Sequence, residues 1–141
     1  LALAGLKRLG FENRATTILD ADIWLPSPAQ GAIGIELRSD DAYTRNVVGK
    51  LDHEPTAIAL ACERAFLAAL DGSCRTPIAA LATIDDGALK FRGEVLALDG
   101  GEFVDTAFEK PLTGNARENA AQWGRDAGLS LRPGAARWLD L

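Results

Sequence analysis

The side chains of this chain best suited to covalent chemistry are its two cysteines, Cys62 and Cys74, and its single histidine, His53. The cysteines stand twelve positions apart, which fits neither the CxxC spacing of redox motifs nor a recognisable set of zinc ligands. A thiolate is a strong nucleophile when a neighbouring group favours its ionised form. The spacing therefore predicts no metal site. What each thiol can do depends on the residues around it.

Cys62 lies on the apolar stripe of a predicted helix, four residues after Ile58 and four before Phe66. A free cysteine in such a place usually behaves as a small hydrophobic residue of the core. We therefore predict a structural role for Cys62. His53 stands at the start of the same helix, where a capping or solvent-exposed role is expected.

Cys74 lies in a different setting, between the end of that helix and the start of a strand. Gly72 permits unusual backbone angles, Pro77 fixes the exit of the loop, and Arg75 stands beside the thiol, where it favours the thiolate. Functional groups are often carried on loops held by rigid elements. Local chemistry alone leaves two interpretations open, a reactive cysteine and an incidental one.

The elements that position this loop follow from hydrophobic periodicity and turn residues. We predict, in chain order, a helix tail over 1–9 ending at Gly10, a connection over 20–31, a strand over 32–37, a short helix around 43–51, a helix from Asp52 to about Gly72, strands over 77–84, 89–97 and 102–109, a helix over 116–127 ending at Gly128, and a short helix after Pro133. Together they predict an α+β fold, a small three-stranded antiparallel sheet with helices packed on one face.

Composition narrows the classes of function. The net charge is −5 with no basic patch, so nucleic-acid binding is not expected, and no apolar run is long enough to span a membrane. A cytoplasmic protein is the default expectation. The 141 residues contain no methionine and open inside a helix without a cap, which favours an excised fragment, with natural processing as the alternative.

Three segments together resemble one known family. They are ERAFLAALDGSCRTPIA at 63–79, with its Glu-Arg pair, Gly-small-Cys triplet and later proline, LPSPAQGAIGIE at 25–36, and AGLKRLG at 4–10. The first is similar to the cofactor-attachment signature of the porphobilinogen deaminase (hydroxymethylbilane synthase) family. One position departs from the family pattern: Ala29 stands where the family usually has glycine. A glycine there has access to positive φ, which costs an alanine free energy.

The resemblance implies a transferase that joins four porphobilinogen units, with loss of ammonia, into hydroxymethylbilane for tetrapyrrole and haem biosynthesis. The growing chain is built on a dipyrromethane cofactor, and the position that matches its thioether-forming cysteine is Cys74. Ser73, Gln30 and Gly31 are the further candidates for cofactor binding. In the family the catalytic aspartate and the carboxylate-binding arginines come from upstream domains, so no catalytic residue is expected in this chain.

By the same resemblance, residues 1–38 are remnants of the upstream domains (helix tail, connection and returning strand), and 39–141 form the C-terminal cofactor-carrying domain. A chain of charge −5 repels a polycarboxylate cofactor unless arginines come from elsewhere. We therefore expect the isolated chain to be inactive and its Cys74 to be a free thiol. The orphaned strand 32–37 is expected to be mobile or to mediate a dimer.

Two other functions stay open from the residues alone. The chain could be a non-catalytic α+β module that binds a small molecule reversibly, with Cys74 incidental. It could also use Cys74 as a redox or acyl-transfer nucleophile, although His53 is the only histidine available as a base.

Overall fold

The computed structural model describes residues 2–71 and 76–139. Within them the regular elements are, in chain order, α1 (Leu3–Arg8), α2 (Ala42–Val48), α3 (Glu54–Ala69), β1 (Ile78–Asp85), β2 (Ala88–Leu96), β3 (Phe103–Pro111) and α4 (Ala116–Leu139), with short 3-10 turns at Glu12–Arg14 and Gly49–Leu51. The helix tail predicted at the start is confirmed as α1. Gly10 follows it at a φ of 68°, a left-handed conformation that suits glycine after a helix.

The three strands form an antiparallel sheet in the order β1-β2-β3. Two residues, Asp86 and Gly87, join β1 to β2, and both have positive φ, as the tight primed hairpin turns require. The register pairs Asp85 with Ala88 at the turn and continues to Ile78 opposite Val95. Because each strand follows the last through a short turn, the predicted meander is confirmed.

One face of the sheet is buried by α3 and α4. Alternate positions of β2 from Leu89 to Val95 are buried, while the residues between them are partly exposed. Phe66 of α3 meets Phe91 edge to face, with ring centroids 5.1 Å apart. This arrangement confirms the predicted α+β fold with helices packed against one face of a small sheet.

The contact between α3 and α4 is unusually close because glycines of α4 lie against the backbone of α3. A Cβ at Gly124 would stand 2.1 Å from the carbonyl oxygen of Cys62, and one at Gly128 would stand 2.7 Å from that of Phe66. Neither position leaves room for a side chain. The backbone of α4 therefore fixes where α3, and with it the end of α3 near residue 70, lies on the sheet.

The predicted division of the C-terminal region into two helices is wrong. Gly128 does not end a helix, and α4 continues through Pro133 to Leu139. Gly128 is present for the close approach to α3, and the buried Ala135 and Trp138 extend the apolar face of α4 beyond the proline. Tertiary packing outweighs the local helix-breaking tendency of both residues.

No strand forms over 32–37, the segment predicted as an orphaned strand of the upstream domains. The segment has no ladder partner among the described residues, and the side chain of Ile33 is 93% exposed. A strand needs a neighbour for its backbone N–H and C=O groups, and the alternation of apolar residues cannot supply one. The alternating pattern at 32–37 thus presents apolar side chains, among them Ile35, to solvent.

Candidate functional site

Cys74 falls in the segment between the end of α3 at Ala69 and the start of β1 at Ile78. Cys74 and Ser73, with Gly72 and Arg75, lie outside the described residues. The described flanks are Asp71, which has a φ of 53°, and Thr76, two positions before β1. The left-handed turn at Asp71 ends the helix and directs the chain into the loop.

Arg132 of α4 contacts the last residue of α3 and Asp71, where the chain leaves the helix. One guanidinium nitrogen donates a hydrogen bond of 3.0 Å to the carbonyl oxygen of Ala69, the last residue of α3, and another pairs with the carboxylate of Asp71. A cation at a helix C-terminus interacts favourably with the helix dipole and with carbonyls that lack a helical partner. Arg132 thus fixes the last turn of α3 through both its backbone and its following side chain.

The second thiol of the chain is poorly suited to nucleophilic chemistry. Cys62 is fully buried, as predicted, in the core cluster that includes Phe66 and Phe91. Burial, followed by the negative charge of Glu63, raises the pKa of the Cys62 thiol to about 12. At neutral pH the Cys62 thiol is therefore protonated and shielded from any ligand in solvent.

Glu63 is the charged residue in the described core, with only 6% of its surface exposed. Its carboxylate accepts a hydrogen bond of 2.6 Å from the backbone N–H of Ala29 and one of 2.7 Å from that of Ala82 in β1. Burial raises the pKa of the Glu63 carboxyl above its usual range, against the opposing effect of these two donors. Both oxygens are used, so the carboxylate bridges segments that lie far apart in sequence.

Sequence reasoning identified Glu63 as half of a Glu-Arg pair and missed its structural position. The available signal was helical spacing: Glu63 falls four residues after Ala59 and three before Phe66, on the inward face of α3. A carboxylate on a buried helix face requires donors. In this chain backbone N–H groups provide them.

The connection before residue 31 covers the outer edge of β1. Ala80 donates its backbone N–H to the carbonyl oxygen of Pro26 at 2.9 Å, beside the bond from Ala82 to Glu63. Ala29, within this stretch, has a φ of 63°. The expectation that an alanine occupies a position suited to glycine is therefore confirmed, and its N–H is held by Glu63 in that strained conformation.

Gln30 and Gly31 follow Ala29 in an exposed turn. The backbone N–H of Gln30 donates to the carbonyl oxygen of Ser27 at 3.1 Å, and Gly31 has a φ of 79°. The structure therefore anchors this turn next to α3 through Ala29. Because Ser73 and Cys74 lie outside the described residues, the four candidate site residues are not seen together.

His53 has a local role at the start of α3 that is separate from the hydrogen bonds and thiols described above. It occupies the residue before α3, is exposed, and its Nδ1 lies 2.8 Å from the hydroxyl oxygen of Thr56. This placement agrees with the capping or exposed role predicted for it. Among residues 2–71 and 76–139, no group of three or more His, Cys, Asp or Glu side chains is arranged to hold a metal ion.

Replacing Ala29 by glycine is expected to stabilise the fold by roughly 0.5–1 kcal/mol, because glycine adopts positive φ without a Cβ clash. Urea unfolding should show a higher midpoint at an unchanged slope. The matched control is Ala68→Gly on the exposed side of α3, which should lose about 1 kcal/mol. Equal destabilisation by both variants would show that Ala29 is not strained.

The raised pKa of Glu63 predicts a pH dependence of stability. A carboxyl whose pKa is higher folded than unfolded contributes stability below the unfolded value of about 4.3, and loses it as pH rises through the folded value. Asp41 and Asp85 have lowered pKa values and act in the opposite direction. Relative to Glu63→Gln, the wild-type chain should therefore lose stability as pH rises above 4.3; a pH-independent difference in urea midpoints would contradict this.

The fold defines a class: a small α+β domain in which the chain passes from α3, through the segment that contains Cys74 in the sequence, to the covered edge strand of an antiparallel sheet. The family model described as "Porphobilinogen deaminase, C-terminal domain" matches residues 57–132, and "Porphobilinogen deaminase, dipyromethane cofactor binding domain" matches residues 1–46. The chain belongs to the porphobilinogen deaminase family.

A relative shows the same likeness over most of the chain. The rice (Oryza sativa subsp. japonica) protein "Porphobilinogen deaminase, chloroplastic" is 47% identical over 133 residues, which cover 94% of this chain and 36% of that protein. The chain thus spans little more than a third of the length of this relative. The family predicted from the sequence is confirmed, and dipyrromethane is the cofactor for which one of its models is named.

Proposed function

We propose that the chain is the cofactor-carrying C-terminal part of a hydroxymethylbilane synthase, a transferase that joins four porphobilinogen units with loss of ammonia. The dipyrromethane primer is held by a thioether to Cys74. The observation that carries the proposal is the contrast between the two thiols within the matched region 57–132. Cys62 is fully buried with a pKa of about 12, whereas Cys74 falls in the sequence between the end of α3 and the start of β1.

The chemistry of attachment suits a thiolate. Its sulfur forms one bond to the electrophilic methylene carbon of a pyrrole whose amino group has left as ammonia, and the product is a stable thioether. When bound, the dipyrromethane supplies the pyrrole end on which the tetrapyrrole is assembled. Arg132 and Asp71 fix the entry to the loop, so the attachment point has a defined origin on α3. Ser73, Gln30 and Gly31 are proposed to contact the cofactor.

The proposed division assigns 1–38 to upstream domains and 39–141 to the C-terminal domain. Support comes from the two family models, which match on either side of residues 47–56, and from the exposed Ile33 and Ile35. In the assembled enzyme this segment pairs with the upstream part; in the isolated chain, 32–37 is the surface through which two copies would associate.

Electrostatics supports a need for the upstream domains. The chain has a net charge of −5, and many of its described arginines are engaged by its own carboxylates, for example Arg117 by Asp52 and Glu54. A polycarboxylate cofactor and the substrate carboxylates require cations from elsewhere. We propose that porphobilinogen is bound by those domains, with this chain providing the anchor.

We propose a cytoplasmic location. Among the described residues no helix is both long enough and apolar enough to cross a membrane. The rice relative is named as chloroplastic, and that location belongs to that protein. Fractionation of cells that produce the protein would test the assignment.

The test of the proposed function is a fusion of the upstream part of the rice relative to this chain, compared with the chain alone. The fusion should form hydroxymethylbilane from porphobilinogen and carry a dipyrromethane adduct on Cys74, seen by intact mass and peptide mapping. The isolated chain should be inactive with an unmodified thiol. A folded fusion with neither product nor adduct would contradict the proposal, and turnover by the isolated chain would contradict the need for upstream domains.

A further inference from the structure

Three segments of the proposed site converge on the carboxylate of Glu63. The residue belongs to α3, which leads into the loop of Cys74; one oxygen accepts from Ala82 in β1, which leaves that loop; the other accepts from Ala29, which precedes the turn of Gln30. The two flanks of the attachment loop and the Gln30–Gly31 turn therefore share one side chain as their common anchor.

Another side chain at position 63 would not easily reproduce both hydrogen bonds of the Glu63 carboxylate. The donors are backbone N–H groups 34 and 19 positions away, so neither bond results from local chain geometry. A neutral amide at residue 63 has one acceptor oxygen and presents its NH₂ group to the second N–H, which then lacks a partner. An unpaired buried donor is costly, whereas Ala29 lies in a partly exposed segment that can move out to water.

We propose that Glu63 is the positioning residue that holds the Gln30–Gly31 turn against α3 and β1, the two elements between which Cys74 falls in the sequence. This inference rests on the proposed function of both sites. Loss of the carboxylate releases Ala29 and displaces the turn, while β1 stays in the sheet through its ladder to β2. Glu63 acts through the backbone N–H groups of Ala29 and Ala82.

The first experiment is an NMR titration of the wild-type chain, which needs no variant. The side-chain carboxyl carbon of Glu63 and the amide protons of Ala29 and Ala82 should shift with a common midpoint as pH changes. An Ala29 amide that does not follow the Glu63 titration would overturn the anchor. Because no cofactor takes part, this result is independent of whether the proposed function is correct.

The second experiment compares Glu63→Gln with Glu109→Gln, an exposed carboxylate of β3. Hydrogen exchange at the Ala29 amide should accelerate about 10- to 100-fold in Glu63→Gln, with amides of β2 still protected, and stay unchanged in Glu109→Gln. Unchanged exchange at Ala29 in Glu63→Gln would overturn the anchor. If that variant does not fold, the wild-type titration decides.

The third experiment places both variants in the fusion with the rice upstream part. Glu63→Gln should lower the rate of hydroxymethylbilane formation roughly 10- to 100-fold, since displaced binding groups reduce catalysis strongly. Release of Ala29 with wild-type adduct content and rate would overturn the positioning role and leave the proposed function intact. A wild-type fusion without adduct would count against the proposed function. The NMR titration would still show whether Glu63 binds the Ala29 and Ala82 amides.

Discussion

Replacement of Cys74 by serine in the fusion enzyme is expected to abolish both the dipyrromethane adduct and hydroxymethylbilane formation. A serine hydroxyl is not ionised near neutral pH and is a far weaker nucleophile than a thiolate, so it should not form the bond that a thiolate forms. The position falls in the sequence between α3 and β1, outside both elements, so folding should be preserved. Intact mass and the rate of product formation provide the two measurements.

The matched control is Cys62→Ala, the other cysteine of the chain. Cys62 is fully buried and protonated, so its removal should leave a small cavity that costs roughly 1 kcal/mol of stability, with adduct and activity retained. Loss of the adduct in a well-folded Cys62→Ala fusion, or its persistence in Cys74→Ser, would reverse the assignment of the two thiols.

Gly124→Ala is expected to have the largest effect on stability. The added Cβ would lie 2.1 Å from the carbonyl oxygen of Cys62, so α4 must move away from α3 along their whole contact. Such overpacking costs about 1–3 kcal/mol or more, compared with a gain of about 1 kcal/mol in helix propensity. Because the 2.1 Å contact is with backbone, which cannot rotate away, we take the upper end of that range and expect a net loss of about 2 kcal/mol in urea unfolding, a large part of the stability of a small domain.

Gly134→Ala provides the control within the same helix. Its Cβ would lie 3.2 Å from a methyl group of Val104, which a small side-chain shift relieves, and the position is exposed. Its stability should stay within about 1 kcal/mol of the wild-type value. If Gly124→Ala behaved like Gly134→Ala, the close backbone contact between α3 and α4 would not exist in solution.

Local signals predicted most of the fold. The three strands and their hairpins follow from alternation and from turn residues such as Asp86 and Gly87, whose backbone preference does not depend on distant residues. The burial of Cys62 likewise followed from helical spacing. These features depend on neighbours within a few positions, which a single sequence displays directly.

The errors share a physical cause, which is dependence on distant partners. Gly128 resembles a helix terminator but serves a contact with Phe66 and Ala69, and α4 continues past Pro133 because its apolar face stays buried there. Glu63 was missed as an anchor for the same reason, because its donors lie 34 and 19 positions away. Spacing alone cannot reveal which distant backbone groups will meet.

One feature of the candidate site can be checked in the structure, whereas the assignments of its proposed cofactor-binding residues stay predictions. The strain at Ala29 was anticipated from one departure in a motif, and the φ of 63° agrees with it. The assignments of Cys74 and Ser73 depend on the family resemblance and lie outside the described residues, so they stay predictions. Gln30 and Gly31 form an exposed turn, and their contact with the cofactor likewise stays a prediction.

The cover over β1 also bears on how the chain is made. An open strand edge such as that of Ile78 to Ala82 invites pairing with other chains. Both parts of its cover, the 26–29 stretch and Glu63, precede β1 in the sequence and therefore leave the ribosome first. When β1 leaves the ribosome, the residues that cover its outer edge have therefore already been synthesised. They are available to suppress aggregation through this edge as soon as the strand forms.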